Sequence, residues 1–288
     1  MGKEKTIKLS LKKTILSPEG ATRYLWQLGD GKAIESVILK HEQMTCACIS
    51  SQVGCPLDCI FCATGQLGFT RDLSVDEIIG QVVSLEKELQ KIGDIQRSFD
   101  RILFMGMGEP LLNYEPVVQS ALSIHSRGND HHPEIFLATS GKKPERIIEL
   151  ATDTPFVRLW ISLCAADDNL RTELMPAASS TSIETLLNTG ETYAEIVGHP
   201  VRVQYLMIKG RTDLPSCAEK LVELVAGRPF ELQLSRLNPI LGCSLKASTK
   251  SSMHQFAELT VRGGIPTSIF DSKGSDIMAG CGQLSASL

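Results

Sequence analysis

The stretch "TCACISSQVGCPLDCIFCATG", residues 45–65, starts as a short apolar strand and runs into a turn that carries Cys55, Cys59 and Cys62, with Gly54 and Pro56 around the first of them. Together with Cys48, this places several thiols on and just beyond one strand. The spacing Cys55-x3-Cys59-x2-Cys62 lets a single loop wrap three thiolates around one centre. A [4Fe–4S] cluster normally takes four cysteines, so three leave one iron open to a small molecule. A structural zinc site stays as the alternative, but it wants a fourth ligand in a C-x2-C pairing, and none lies at that spacing. Plain packing fits worst, because three cysteines in a Gly/Pro turn rarely all point inward.

Working outward, strand-like and helix-like stretches alternate. "TCACIS", "RILFMGM", "EIFLATS", "VRLWISL", "VRVQYLMI" and "FELQLS" have the short apolar character of buried parallel strands. Between them lie amphipathic patterns. The clearest is the capping box of Ser74 and Glu77 ahead of Ile78, Ile79, Val82 and Val83; "PERIIELA", "SIETLLNTGETYAEIV", "SCAEKLVELVAG" and "SMHQFAELTVRGG" follow suit. About six such units predict an α/β fold, a partial (β/α)6 TIM-like barrel over residues 46–270, with an open doubly wound sheet as the rival. Both architectures put ligands at the carboxyl ends of the strands, so the cysteine loop, "GMGEP" and "SLCAA" should share one face. Residues 1–45 read as a small β-hairpin extension around Gly29-Asp30-Gly31, and residues 271–288 as a Gly-rich tail carrying Cys281.

Composition bounds the function. The 288 residues are 42% hydrophobic and 22% charged, ordinary for a globular protein. Net charge is -4 and the pI about 5.9, so no global positive field advertises nucleic acid; the only basic cluster is "MGKEKTIKLSLKK". With no secretory h-region and no membrane-length apolar run, the expected location is the cytoplasm, with no membrane partner. Nine cysteines there point to metal, redox or packing roles rather than a disulfide framework.

The C-x3-C-x2-C spacing, with Phe61 before the last cysteine, resembles the radical S-adenosylmethionine (SAM) superfamily. "CISSQVGCPLDCIFCATGQLGFTRDLSVDEIIGQV", "FMGMGEPLLNY", "ISLCAADDNLRTELMP", "LNPILG" and "GSDIMAGCGQL" resemble, in order and spacing, the RlmN/Cfr class of RNA methyltransferases, over about Ala21 to Leu284. The resemblance implies one [4Fe–4S] cluster on Cys55, Cys59 and Cys62, two SAM molecules per turnover, and methylation of adenine C2 or C8 in RNA, ribosomal or transfer. It implies that Cys281 accepts a methyl group, that a methylene radical formed on it adds to the base, and that Cys48 releases the product through a transient disulfide. By the same likeness Glu35 in "IESVIL" takes the ring proton. Gly108, Glu109, Ser162, Leu163 and Asn238 line the cofactor site, with Ala138 and Cys164 at cofactor-site positions. A flavodoxin- or ferredoxin-type electron donor and a monomeric state complete the expectation.

Each residue also has a plainer reading. Glu35 alone would be a strand-surface carboxylate, Asn238 before Pro239 a turn former, and Cys46 and Cys48 small inward residues, the reading kept for Cys46. Cys217 reads as core, Cys243 has no assignment, and His131 and His132 read as exposed loop residues. The chain departs from the class in four places: Ala138 stands for a serine, Cys164 for a histidine, Lys273 for an arginine, and the sequence reads as a short member without the usual N-terminal helical domain. The same chemistry on tRNA or a small heteroaromatic compound, a radical enzyme that only abstracts hydrogen, and a non-enzymatic iron–sulfur or zinc scaffold remain the alternatives.

Overall fold

The structure, a computed structural model, describes residues 9–91, 98–127 and 132–286, so His131 and most of the basic N-terminal cluster lie outside the described residues. Ten strands form one sheet in the order β1 (Ser10–Leu16), β2 (Ala21–Gln27), β3 (Ala33–His41), β4 (Met44–Cys48), β7 (Arg101–Phe104), β8 (Glu134–Thr139), β9 (Val157–Ser162), β10 (Val201–Met207), β11 (Phe230–Arg236) and β12 (Thr267–Phe270). From β4 onward every pairing is parallel and neighbours follow chain order. A doubly wound sheet reverses its strand order at a switch point. None exists here, so the barrel-type reading holds and its rival falls. The repeat gains a seventh parallel strand, β12, beyond the six expected.

The N-terminal segment is not a separate hairpin packed on the barrel. Its described part is a three-stranded antiparallel meander that continues the main sheet, with β3 paired to β4. The turn between β2 and β3 does fall at the Gly-Asp-Gly, with Gly31 at φ 83°. A second, two-stranded ribbon was not foreseen: β5 (Gln52–Gly54) pairs with β6 (Phe69–Asp72) and brackets the cysteine loop. His132 is exposed, as expected of a loop residue.

Helices α1 (Ala63–Gln66), α2 (Val75–Lys91), α3 (Tyr114–Ser126), α4 (Pro144–Asp153), α5 (Asp168–Leu174), α6 (Ile183–Val197), α7 (Pro215–Val225) and α8 (Lys250–Arg262) fill the connections. The capping box forms as read: Ser74 N donates to Glu77 Oε2 at 2.9 Å and Glu77 N to Ser74 Oγ at 3.3 Å. The patterns of α3 and α5 were not singled out beforehand.

Strand alternation explains where the site sits. In β10, Val201, Val203, Tyr205 and Met207 are buried, while Arg202, Gln204 and Leu206 are only half-buried. The first set joins the core that also contains Leu221 and Phe256 of the helices. The second set, with the matching positions of its neighbours, forms an inner face that lines two cavities stacked along the strands.

Candidate active site

The cysteine loop is shaped by close backbone approach. Gly54 sits at φ 76°, and a Cβ there would lie 1.9 Å from the Gly68 carbonyl oxygen. The neighbouring Cys55 N–H donates to that same oxygen at 3.0 Å, so the glycine is what lets β6 close over the loop. Gly65 plays a similar part, since a Cβ there would be 2.9 Å from Cys59 N. Cys55 and Cys59 are buried and Cys62 is half-buried. Burial pushes the Cys55 thiol up to about 12 and Cys59 well above its ordinary value. Such thiols ionise only when a cation takes the place of water, which is what a metal centre provides.

The three sulfurs line one cavity of about 200 Å³. Yet among the described residues no group of three or more His, Cys, Asp or Glu is placed to hold a single metal ion. Three thiols on one loop are nonetheless the donor chemistry of a polynuclear cluster, in which each cysteine ligates a different iron. The donor set therefore fits a [4Fe–4S] cluster with one open iron.

The rest of this cavity is the "GMGEP" turn and the ends of β8 to β11. Gly108 has φ 104°, and a Cβ there would meet Gln52 Cβ at 2.6 Å; one at Gly106 would meet Ile49 backbone at 2.7 Å. Both glycines line the cavity. Glu109 follows, buried, its Oε1 accepting from Thr139 Oγ1 at 2.5 Å and Oε2 from Ser140 N at 2.8 Å. Burial raises its pKa, against the lowering pull of these hydrogen bonds. Ala138, Ser162, Cys164 and Asn238 also line the cavity, as expected of the cofactor positions. Cys164 adopts φ 63°, and burial pushes its thiol up to about 12. Leu163 does not join them. Alternation turns it into the hydrophobic core, where it is fully buried.

A second cavity of about 250 Å³ lies further down the inner face. Cys48 and Cys281 both line it, and Cys281 lines the first cavity as well. Burial, and then the neighbouring Cys281, raise the Cys48 pKa. Cys281 is exposed as a residue, yet its thiol lies near Ser272, and loss of hydration raises its pKa too. Cys46 is buried, as a small inward residue should be, and also lines this cavity, with its thiol pushed up to about 11 by burial.

The tail is held in place by side chains from across the fold. Asn238 Nδ2 donates to the Cys281 carbonyl at 3.0 Å, Ala63 N to Gly282 O at 2.7 Å, and Thr64 Oγ1 to Leu284 O at 2.6 Å. Glu35 belongs to this anchorage. It is fully buried, lines neither cavity, accepts from Ser285 N at 3.0 Å and lies 3.6 Å from Arg23 Nε. Burial raises its pKa, and Arg23 opposes this.

Sequence reasoning missed Gln204, which lines both cavities, and Arg171, which is buried and donates to the carbonyl of Ser140 at 2.5 Å beside Glu109. The period-two polar residues of "VRVQYLMI" were a readable signal for Gln204; nothing local marks Arg171.

Residues 49–225 match the radical SAM superfamily. A protein of Thermotoga petrophila named "Probable dual-specificity RNA methyltransferase RlmN" is 40% identical over 277 residues, which cover 95% of this chain and 78% of the relative. A protein of the same name from Dictyoglomus turgidum is 37% identical over 277 residues, 94% of this chain and 78% of the relative. The crystal structure of a radical SAM methyltransferase from Sphaerobacter thermophilus superposes with a TM-score of 0.92 at 32% identity, covering 98% of this chain and 82% of that one.

Proposed function

Because the chain belongs to the radical SAM superfamily and, within it, to the RlmN family of RNA methyltransferases, we propose that it methylates a ring carbon of an adenine base, C2 or C8, with Cys281 as methyl carrier and Cys48 as resolving thiol. The family's cofactors are a [4Fe–4S] cluster and SAM, two SAM per turnover. Cys55, Cys59 and Cys62 would hold the cluster, and Gly108, Glu109, Ala138, Ser162, Cys164 and Asn238 would surround the SAM, with the Glu109 carboxylate taking its ammonium. Bound there, these groups supply the methyl and, after reduction by a flavodoxin- or ferredoxin-type donor, the hydrogen-abstracting radical.

The observation that carries this reading is the position of Cys281 on both cavities. A carrier has to be reachable first from the cofactor side and then from the substrate side. The Cys281 sulfur holds the one-carbon unit as a thioether, and that carbon bonds to the ring. The Cys48 thiolate then attacks the Cys281 sulfur, and the electron pair of the broken sulfur–carbon bond passes to the carbon side. That carbon takes up a proton and leaves as the methyl group on the ring, and the two sulfurs remain as a disulfide. The resulting Cys48–Cys281 bridge needs two electrons from a thiol reductant before the next turnover. Glu35 is the proposed acceptor of the ring proton. Its burial favours the proton-bound form, and its hydrogen bond from Ser285 joins it to the tail that carries Cys281.

The test is the mass of the Cys281 peptide after anaerobic expression with iron and SAM supplied. An added CH2 on Cys281 is the expected result. An unmodified Cys281, in protein that holds its cluster and binds SAM, would overturn the carrier role and leave an enzyme that only abstracts hydrogen.

A further inference from the structure

We infer that the larger cavity is the dock for the target nucleotide, with Trp160 stacking on the base and Arg202 meeting an adjoining phosphate; this rests on the proposed RNA substrate. The inner-face alternation puts Arg101 on β7, Phe136 on β8, Trp160 on β9 and Arg202 on β10, toward the amino-terminal ends of the strands and below the thiols. In register, Trp160 lies between Ala138 and Arg202. The two aromatic rings meet edge to face at 5.7 Å. Arg101 Cζ lies 5.1 Å from the Phe136 centroid and Arg202 Cζ 4.9 Å from that of Trp160.

Such aromatic–arginine pairs also occur as packing, but packing closes space and here it stays open. The four side chains border a chamber of about 250 Å³ that Cys48 and Cys281 line as well. That is room for a single extruded base and not for a paired stem. Trp160 is half-buried and lines the chamber, so its indole is within reach of a base for stacking, the sequence-tolerant contact that holds single-stranded nucleotides. Ala138, its register partner on β8, lines the cofactor cavity. Gln204, which lines both cavities, and Gln233 present amides to the edge of the base.

The arginines are available for phosphate. Arg202 pairs with Glu231 at 2.9 Å and Arg101 with Glu134 at 2.8 Å, with side-chain exposures of 33% and 41%, and 38% and 50%. Pairs this open contribute little, so a phosphate oxygen can replace the carboxylate on the same guanidinium. A chain of net charge -4 needs no broad positive face for this contact, because Arg101 and Arg202 themselves border the chamber.

A fluorescein-labelled RNA hairpin with an unpaired loop adenosine, titrated into cluster-loaded protein, tests this. Anisotropy reports binding and tryptophan emission reports Trp160. The only other tryptophan, Trp26, is 2% exposed and stacked on Tyr24 in β2. Emission should change in step with anisotropy. In Trp160→Phe the emission change should vanish. Trp160→Ala should weaken binding on the order of tenfold. Arg202→Met should keep the emission change, weaken binding, and lower the slope of log affinity against log salt by about 0.7. RNA that saturates anisotropy without altering emission, with all three variants binding as the parent does, would overturn the inference. Absence of any RNA binding in protein whose Cys281 is methylated would overturn it through the RNA substrate itself, while leaving the methyl-carrier chemistry standing.

Discussion

Glu35 and Ser285 come from opposite ends of the chain, and the carboxylate of the first accepts the backbone N–H of the second at 3.0 Å. Arg23 completes the group, 3.6 Å from the same carboxylate and donating to the carbonyl of Met278 at 3.1 Å. Meander and tail are thus joined by one buried acid and one buried base. Breaking such a pair strands a charge at a cost of about 3 kcal/mol or more. Arg23→Met should therefore lower the urea midpoint markedly at neutral pH. The folded-state pKa of Glu35 is raised, so its protonated form adds stability that is lost as pH rises through that pKa. The Arg23→Met deficit should accordingly shrink as pH falls, and Glu35→Gln in the same chain should recover part of it. A deficit that is constant with pH and unaffected by Glu35→Gln would show that the pair does not hold the tail.

The cysteine loop depends on Gly54 in a way that separates space from backbone strain. At Gly54 the φ is 76° and the added Cβ falls 1.9 Å from a carbonyl oxygen; at Gly31 the φ is 83° with nothing within 4 Å. Alanine at Gly31 should cost about 1 kcal/mol and leave cofactor loading intact. Alanine at Gly54 must push β6 off the loop, so iron and sulfide per chain should fall steeply after anaerobic reconstitution. Equal iron in the two variants would mean that the loop does not need this approach.

Glu109 makes a pH prediction in protein free of cofactor. Burial favours its protonated form in the fold, against three hydrogen bonds that favour the carboxylate. The net raised pKa means stability present below the ordinary carboxylate value and lost as pH rises through the folded-state one. The melting temperature of Glu109→Gln relative to the parent should thus climb as pH is raised from 4 to 7 (about the span over which a buried carboxyl ionises). SAM, whose ammonium answers the charge, should narrow the gap by stabilising the parent alone. A difference independent of pH would place the Glu109 effect in packing instead.

Much of this was legible because it was local. The cysteine spacing, the Ser74–Glu77 cap and the apolar strands each depend on neighbours in sequence, and each formed. What escaped depends on distant partners. Glu35 reads as a surface carboxylate until the tail is laid over it. Leu163 belongs to a site motif, yet alternation directs it into the core. Arg171 sits in an ordinary helix and is explained only by carbonyls from other segments. The β5–β6 ribbon is short and polar at Gln52 and Arg71, and only the Gly54 contact with Gly68 makes it a structural unit. The stretch "TSIF" reads as a strand ahead of the Gly-rich tail, but that it extends the parallel sheet as a seventh strand beside β11 depends on a partner distant in sequence.

Cys48 and Cys281 give the sharpest chemical prediction. They line one cavity and each is a free thiol in this structure. If Cys48 resolves the covalent intermediate, Cys48→Ala should methylate Cys281 and join it to RNA but not let go. The protein–RNA adduct should accumulate to about one per enzyme, seen as an RNA-sized mass on the intact chain or as a band sensitive to ribonuclease. Attack needs the thiolate, and burial holds the Cys48 thiol protonated at neutral pH. Release by the parent enzyme should therefore speed up as pH rises toward alkaline values, while methylation of Cys281, which precedes it, need not follow the same profile. Multiple turnovers by Cys48→Ala without adduct would remove Cys48 from the release step and turn attention to Cys46, the remaining non-ligand thiol on that cavity wall.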